Sequence, residues 1–521
     1  MKAATLAAPV AAHPPIPVAV ETIAVMTIAM VGSSVSSQLV DLDIADIAGA
    51  FSVSADQASW IACAATMAEI VSIPVAATLV RASSLRTVVL CAVTIYAACA
   101  FASLGLETMG PLIVVRTIQS FCSGVLSVLM FVAVMANLPA GAGRNIGLSI
   151  FAFASTAPTA LNATVGAFVT ERWGWQGLYY FDLAWALALL ATGWMFLRSS
   201  PRAMRFSEID WIGYAPLALG LAALILFLKQ GDRFFWFDDP TIVRAALVAC
   251  VALPVSVAWF AWHPHPLIDL TLMRTPTFGW AVSIATFYRF GMVMTAFVVP
   301  QALMRLQGYR MPEIADANIA MFWAECVSFP VAWLWATRGD ARQPLSLGLA
   351  LFAAGAFVAT GITPAWQADD FHLALVLIGL GQGFFLVPTL FYATRDVLPQ
   401  QGATAAALFN LSRIAGQALG TGTIGALITE REKYHSAILI NGINDANDAV
   451  AARLASLTAM FRGMTGDESL AAAQALTSLS GTLSTQAFVL AFADAFLIVT
   501  AVLGVSALLV LMLPPLRKDR Q

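Results

Sequence analysis

The sequence PLIVVRTIQSFCSGVLSVLMFVAVMAN, from Pro111 to Asn137, combines a long apolar run with a single arginine. At about 1.5 Å per residue, a helix of this length crosses the roughly 30 Å apolar layer of a bilayer. A charge at the centre of such a helix costs about 2.5–3.5 kcal/mol on insertion scales. Arg116 therefore either lies near one end and reaches the headgroups, or needs an acidic partner or a wet cavity inside the protein.

Apolar residues make up 60% of the 521-residue chain and charged residues 11%, about half the charge of an average soluble protein. Apolar runs of about 20 residues recur towards the C-terminus, which is typical of a polytopic, all-α membrane protein. The sequence contains no phosphate-binding loop, catalytic triad or Cys/His metal motif, which argues against an enzyme. We expect packed thiols and no disulfides, because all six cysteines fall within apolar runs: Cys63, Cys91, Cys99, Cys122, Cys250 and Cys326.

The apolar runs predict about fourteen transmembrane helices, and an even number places both termini on one side of the membrane. Most Lys and Arg residues lie in loops on the side of the termini, which predicts that this side is cytoplasmic. The predicted spans lie near residues 17–40, 57–80, 87–106, 111–136, 146–169, 177–197, 211–229, 241–262, 277–303, 314–337, 344–363, 371–394, 403–429 and 486–514.

The spans divide into six, a two-helix insertion at 211–262, and six more. We expect an N-terminal six-helix bundle at 1–198, linkers and two extra helices at 199–276, and a C-terminal six-helix bundle at 277–521. Two such halves suit a transporter built from structural repeats around a site at the middle of the membrane. Residues 431–485 form a long outward segment. Its apolar spacing favours an outer helical hairpin, and a solvated loop is the alternative.

Several charges in the first half are predicted to lie within the membrane. Asp41 or Asp43, at the end of the first span, could face Arg116 across a cavity; an acid wetted from outside is the alternative. Glu69 lies near the middle of the second span, where loss of water favours its protonated form and makes it a candidate proton carrier. A structural glutamic acid bonded to a neighbouring helix is the alternative for Glu69. Asp182 is expected to lie at the membrane interface.

The second half repeats this pattern. Arg289 and Glu325 lie at similar depth in consecutive spans, so we expect them to meet, either as functional groups or as a permanent ion pair. Arg413 also lies near the middle of its span, with Asn410 one turn earlier on the same face. Asp494 lies in the outer half of the last span.

These residues resemble a known family, the fourteen-span drug/proton antiporters of the major facilitator superfamily, of the EmrB/QacA kind. The stretch VVRTIQSFCSG is similar to the family's R-x-x-Q-G-x-x-x-G in the fourth helix. ERWGWQGLYYFDL resembles the W-G-W…F-x-x-N-x-P entry to the sixth helix, and HPLIDLTLMRTPTF resembles H-P-L-x-D-L-x-L-F-R-x-x-x-F. QALMRLQGYRMPEIA and LFNLSRIAGQALGTGTIGALITERE resemble the Q-x-x-G-Y and N-x-x-R-x-x-G-x-x-G-T segments.

The resemblance implies a major facilitator fold and assigns roles to particular residues. Arg116 takes the place of the fourth-helix arginine, which couples proton movement to cavity opening, and Arg413 matches the N-x-x-R arginine. The chain also departs from the family's pattern. Ser36 stands at the position of the family's first-helix acid, and the fifth-helix G-P-x-x-G-G reads LNATVG, with Asn162 in place of the proline.

Residues and resemblance together predict proton-coupled export of amphipathic organic compounds by alternating access. The alternative is an uncoupled or proton-symport transporter of a small organic solute, anionic or not; a polytopic enzyme or receptor ranks below both. We expect no cofactor, transport driven by the proton gradient, a bacterial inner membrane, cytoplasmic termini, a periplasmic adaptor protein as a candidate partner and no nucleic acid. The proposed proton-coupling residues are Asp41, Glu69 and Arg116, and the proposed cavity residues are Arg289, Glu325, Asn410 and Arg413.

Overall fold

The computed structural model describes residues 15–199, 202–398, 401–443 and 448–512, and all regular structure in these ranges is helical. The basic residues Lys2, Arg517, Lys518 and Arg520, which contributed to the predicted orientation, lie outside these ranges. The helices are α1 (Ile16–Leu42), α2 (Ile44–Ala50), α3 (Ala55–Ala82), α4 (Leu85–Ser103), α5 (Met109–Asn137), α6 (Ala142–Trp173), α7 (Gln176–Phe196), α8 (Trp211–Gln230), α9 (Pro240–Trp262), α10 (Pro276–Val293), α11 (Val299–Gln307), α12 (Met311–Arg338), α13 (Arg342–Ala359), α14 (His372–Thr394), α15 (Gly402–Asn441), α16 (Asp448–Thr465) and α17 (Glu468–Leu511).

Each predicted span corresponds to a helix. Thirteen described helical segments are long and apolar enough to cross a bilayer, including the continuous segment Pro276–Gln307, in which a π-helical turn at Met294–Val298 joins α10 to α11. The span predicted at 403–429 corresponds to α15, which is not among these thirteen. This helix packs against α3, α5, α8, α10 and α17. Because α15 faces other helices more than lipid, it tolerates more polar residues than a lipid-facing span does.

Short polar sequences start several helices by satisfying free backbone N–H groups. Ser54 and Gln57 form a reciprocal capping box at α3, with both hydrogen bonds at 3.2 Å. Ser84 caps α4, and Asp239 and Asp467 accept backbone hydrogen bonds at the starts of α9 and α17. These caps fix where the chain turns at the membrane surface.

The helix α5, which contains the opening sequence, lies at the centre of the first half. It packs against α1, α3, α4, α6 and α15. In the apolar 18-residue stretch of α5, 83% is buried inside the protein. In contrast, only 28% of the corresponding 18-residue stretch of α9 is buried. The α8–α9 pair therefore lies at the periphery, where α8 contacts α3 and α15.

The two halves, α1–α7 and α10–α17, meet along a few helices. α6 packs against α12 and α14, while α3 and α5 pack against α15. Near the end predicted to be cytoplasmic, the rings of Phe131 and Phe151 lie 6.0 and 6.1 Å from that of Phe409. At the same end Arg144 Nη2 donates to Thr394 O at 3.4 Å. These contacts join the two halves at this end of the molecule.

The segment 431–485 is mainly helical over its described residues. α15 continues to Asn441, α16 packs against α17, and α17 begins at Glu468, well before the last predicted span. Of the two alternatives considered for this segment, the structure therefore has the helical one. An apolar groove of about 890 Å³ lies between α16 and α17, with Leu454, Leu476 and Leu479 among its lining residues.

Candidate functional site

Arg116 lies inside the first half, with 2% of its surface exposed. Its Nη1 lies 3.4 Å from Asp182 Oδ2 of α7 and donates to Gln119 Oε1 at 2.9 Å. Its Nη2 donates to the backbone oxygen of Ser36 in α1 at 2.8 Å. Gln119 Nε2 in turn donates to Asp182 Oδ2 at 2.8 Å. We call Arg116, Asp182, Gln119 and Ser36 the enclosed cluster.

The prediction that Asp41 or Asp43 is the partner of Arg116 was wrong. Asp41 pairs instead with Lys229 of α8 at 3.4 Å and its side chain is 42% exposed, while Asp43 lies beyond the end of α1. Asp182, expected at the interface, is only 1% exposed. The reason is the position of each acid along its helix. α7 brings the carboxylate of Asp182 beside Arg116, whereas the acids near the end of α1 lie more than one turn beyond Ser36, the residue of α1 that contacts the arginine.

Sequence reasoning assigned no contact to three residues of this region, Gln119, Ser36 and Tyr96. Tyr96 of α4 hydrogen-bonds the Ser36 hydroxyl through its own hydroxyl group. Gln119 could have been found, since it lies three residues after Arg116 and therefore on the same helix face. Ser36 was identified only as the position of a missing acid; the structure shows that it still faces the arginine.

Gly124, later in the same stretch, allows α5 and α3 to approach closely. A Cβ atom built at Gly124 would lie 2.6 Å from the backbone oxygen of Glu69. Such a contact is far inside van der Waals distance, so any larger residue would push the two helices apart. The stretch thus supplies both the buried charge and the close helix contact that places Glu69.

Glu69 and Arg413 form an ion pair between the two halves. Arg413 Nη2 of α15 donates to Glu69 Oε1 of α3 at 3.1 Å, and the two side chains are 10% and 14% exposed, the arginine being the less exposed. We call this pair the bridging pair. Glu69 thus contacts a neighbouring helix, and its partner is an arginine that is distant in sequence.

Arg289 and Glu325 do not form the expected ion pair within the described part of the chain. Arg289 Nη2 donates instead to Ser155 Oγ of α6 at 3.4 Å. Neither oxygen of Glu325, which is fully buried, has a hydrogen-bond partner among the described residues. The prediction failed because α10 packs against α14, α15 and α17, whereas α12 packs against α6 and α14. The two consecutive spans that carry Arg289 and Glu325 are therefore not packed side by side.

Asn410 is fully buried one turn before Arg413, as its spacing predicts. Its Nδ2 donates to Ala406 O at 2.9 Å, and its Oδ1 has no partner in the described ranges. Gln382 of α14 is likewise buried, with Nε2 3.5 Å from Met321 Sδ and a free Oε1 within the same ranges. Such unpaired polar atoms in an apolar interior are costly, which makes this part of the second half a candidate for ligand contacts.

A third cluster lies at the end of the second half that is predicted to face outwards. Asp494 Oδ2 of α17 accepts hydrogen bonds from Arg431 Nε at 2.6 Å and from His435 Nε2 at 2.7 Å, both on α15. Asp494 was expected only to lie in the outer half of its span. The cluster ties α15 to α17 where both helices continue into the outer hairpin. Across the described residues, no group of His, Cys, Asp and Glu side chains has an arrangement suited to a metal ion.

Sequence comparison adds independent information on the family. Residues 24–288, just over half of the chain, match the sequence model of the Major Facilitator Superfamily. The chain is 22% identical over 441 residues to the multidrug export protein EmrB of Escherichia coli K12, covering 82% of this chain and 83% of that protein. It is 24% identical to the colistin resistance protein EmrB of Acinetobacter baumannii, covering 88% and 92%. For the fatty acid resistance protein FarB of Neisseria gonorrhoeae the identity is 22%, with 89% and 91% covered.

Solved structures agree on the fold. The proton:xylose symporter XylE superimposes with a TM-score of 0.59 at 13% identity, covering 96% of both chains. The human organic anion transporter MFSD10 gives a TM-score of 0.56 at 12% identity, covering 94% of this chain and all of that one. The chain belongs to the major facilitator superfamily, a family of membrane transporters. The expected family and fold class are confirmed.

Proposed function

We propose that this member of the major facilitator superfamily exports amphipathic organic compounds in exchange for protons, by alternating access. The observation that carries the proposal is the bridging pair, in which Glu69 of one half holds Arg413 of the other. Relatives named for multidrug export, colistin resistance and fatty acid resistance support the substrate class. They also support a bacterial inner membrane as the location, with cytoplasmic termini as the arginine distribution predicts.

The chemistry of the bridging pair suits coupling. The carboxylate of Glu69 binds either a proton or the guanidinium of Arg413, and protonation removes the charge that holds the arginine. The two halves then lose an attractive contact between α3 and α15 and can separate. An inward proton supplies about 2.3 kcal/mol per 100 mV of membrane potential for each charge that crosses, and no cofactor is needed.

The other charged residues take supporting roles in the proposal. Arg116 transmits the state of the first half through the enclosed cluster. Asp41 pairs with Lys229 at the end of the protein that is predicted to face outwards. An entering proton would meet its carboxylate before it reaches Glu69. The proposed cavity residues are Arg289, Glu325, Asn410 and Arg413; two arginines among them would accommodate an anionic headgroup.

The outer hairpin supports a second, separate part of the proposal. α16 and the outer ends of α15 and α17 extend beyond the predicted spans and expose an apolar groove. We assign this surface to a periplasmic adaptor protein, which would receive exported compounds. Co-purification of the full chain with a membrane-anchored adaptor from the same genome, lost when α16 is replaced by a Gly/Ser linker, would support the assignment. Unchanged co-purification would contradict it.

One observation favours uncoupled or proton-symport transport as the second candidate. Asn162 of α6 stands where the family has a proline in its fifth helix. Its Nδ2 donates to Gln38 Oε1 of α1 at 3.1 Å. This hydrogen bond joins α6 to α1 by a contact that proline could not make. Such a link changes the part of the fold in which the antiporter family has its fifth-helix G-P-x-x-G-G.

Flux measurements separate the two functions. Purified full-length protein is reconstituted in liposomes, and transport of ethidium and of dodecanoate is followed with and without an imposed pH gradient. We expect gradient-dependent transport coupled to proton movement in the opposite direction, and loss of this dependence in Glu69→Gln. The matched control is Glu107→Gln, at an exposed position between α4 and α5. Equal fluxes with and without the gradient would contradict antiport, and co-movement of protons and solute would establish symport.

A further inference from the structure

Glu325 is the least compensated acid that the structure describes within the membrane. Asp182 accepts hydrogen bonds from Arg116 and Gln119, and Glu69 accepts one from Arg413. Glu325 is 0% exposed, and neither of its carboxylate oxygens forms a hydrogen bond of standard geometry in the described ranges; the nearby hydroxyl of Thr156 is at most a weak partner. An ionised carboxylate that no cation or donor compensates is far more costly to bury than the neutral acid. The surroundings of Glu325 therefore fit a protonated side chain.

The groups around Glu325 come from both halves of the protein. Thr156 of α6 and Arg289 of α10 are its polar neighbours, and the titratable side chains of Tyr288 and Cys326 also lie close by. On α14, the packed neighbour of α12, the uncharged Gln382 contacts Met321, one turn before Glu325. Arg289 is thus the cation within reach of Glu325.

Arg289 is engaged elsewhere in this conformation. Its Nη2 donates to Ser155 Oγ, the residue next to Thr156, and Ser155 Oγ itself donates to Ala152 O at 2.7 Å. The contact joins α10 of the second half to α6 of the first. A neutral hydroxyl is a weaker partner for a guanidinium than a carboxylate is. The contact to Ser155 is therefore favoured only while Glu325 carries no charge.

We propose that Glu325 holds a proton in this conformation and that, on losing the proton, it takes Arg289 away from Ser155. The proton passes from the carboxyl oxygen to water admitted as the halves separate, and the carboxylate and guanidinium then form an ion pair within the second half. The exchange removes a contact between the halves. This inference deepens the proposed function, on which it rests, by adding a second proton site: its contact between the halves opens on loss of a proton, whereas the bridging pair opens on gain of one.

The backbone of the helix that carries Arg289 is suited to such a movement. The π-helical turn Met294–Val298 begins five residues after Arg289 and interrupts the regular hydrogen bonding between α10 and α11. Such turns occur frequently at functional sites, because they allow a helix to change its local register. A rotation there would reorient the arginine without unfolding the helix.

The proton on Glu325 can be observed directly, without substrate or gradient. Infrared difference spectra of the purified, reconstituted full chain are recorded between acid and alkaline pH. We expect a carbonyl band of a buried carboxylic acid that disappears on alkalinisation and is absent in Glu325→Gln. The matched control is Asp316→Asn, an exposed acid on the same helix α12, which should keep the band. A band unchanged in Glu325→Gln would overturn the proposal even if transport proves to be proton-coupled.

The exchange of partners has its own test. Ser155→Ala removes the alternative partner of Arg289, so the arginine becomes more available to the carboxylate. The midpoint pH at which the Glu325 band disappears should then fall by about one pH unit. A midpoint that does not move would overturn the exchange. Failure of the flux experiment, in contrast, would leave both infrared results intact.

Discussion

The enclosed cluster and the bridging pair use the same chemistry in opposite ways. In the enclosed cluster, the side chains of Arg116 and Asp182 are each 2% exposed and belong to the same half. In the bridging pair, Arg413 and Glu69 are 10% and 14% exposed and belong to different halves. Arg116 donates to three residues, whereas the bridging pair rests on a single hydrogen bond.

This difference separates stability from movement. A buried charge surrounded by fixed donors and acceptors is held in place, because removing any partner leaves another group unpaired in a medium of low dielectric constant. A pair with one hydrogen bond and some access to water can open at a much lower cost. We therefore expect the enclosed cluster to hold the first half together and the bridging pair to open during transport.

The largest effect is expected in the enclosed cluster. Asp182→Ala leaves Arg116 buried without its carboxylate and should destabilise the protein by about 3–5 kcal/mol, the usual cost of breaking one side of a buried pair. Thermal unfolding in detergent, followed by loss of monodisperse protein on size exclusion, measures this. The double variant Asp182→Ala with Arg116→Leu should recover part of the loss. Wild-type stability of the single variant would show that the pair does not hold the fold.

A close helix contact should rank second. Gly124→Val places side-chain atoms against the backbone of Glu69 and should cost about 1–3 kcal/mol. It should also displace α3 and thereby weaken the bridging pair. Gly110→Val is the matched control in the same helix α5, because a Cβ atom at Gly110 would have no other atom within 4 Å. Equal thermal stability of the two variants would contradict the close approach of α3 and α5.

Asp43 adds a third charged group to the comparison. It is a buried acid outside the spans, and its Oδ2 has no partner among the described groups. Burial and the nearby Asp46 raise the pKa of Asp43 to about 6. The folded state therefore binds this proton more tightly than the unfolded state, and stability falls as the pH rises from about 4 to about 6. Asp43→Asn should gain about 1 kcal/mol at pH 8 and none at pH 4. Equal gains at both pH values, measured by thermal unfolding, would contradict burial of the acid.

The smallest effect on stability is expected at the bridging pair. Glu69→Gln keeps the shape of the side chain and should change the unfolding free energy by less than about 1 kcal/mol. The same variant should nevertheless abolish the pH dependence of transport. A loss of stability as large as that of Asp182→Ala would place Glu69 with the structural charges.

The sequence predicted the helices because each span in a bilayer must satisfy its own backbone hydrogen bonds and be apolar over a fixed length. It also predicted that Arg116 and Arg413 lie inside the protein. It did not predict their partners. Asp182 and Glu69 reach these arginines from helices that are not adjacent in sequence, and depth along a span does not reveal which helices touch.

The error at Arg289 and Glu325 has the same origin. Their spans are consecutive and their depths agree, but α12 lies against α6 of the other half instead of against α10. Ser36, which stands where the family has an acid, was a more informative signal than depth along the spans. A lost acid opposite a retained arginine requires a replacement carboxylate, and a search of the remaining intramembrane acids would have included Asp182.

The most direct test of the account is the distance between α3 and α15 as a function of pH. Spin labels at Thr66 and Gln417, both half-buried and about one turn from the bridging pair, would report it in a cysteine-free background. We predict that acidification lengthens the α3–α15 distance in the labelled protein that retains Glu69. In Glu69→Gln, the long distance should be present at both acid and neutral pH. A pH response that is unchanged in Glu69→Gln would contradict the claim that protonation of Glu69 releases Arg413.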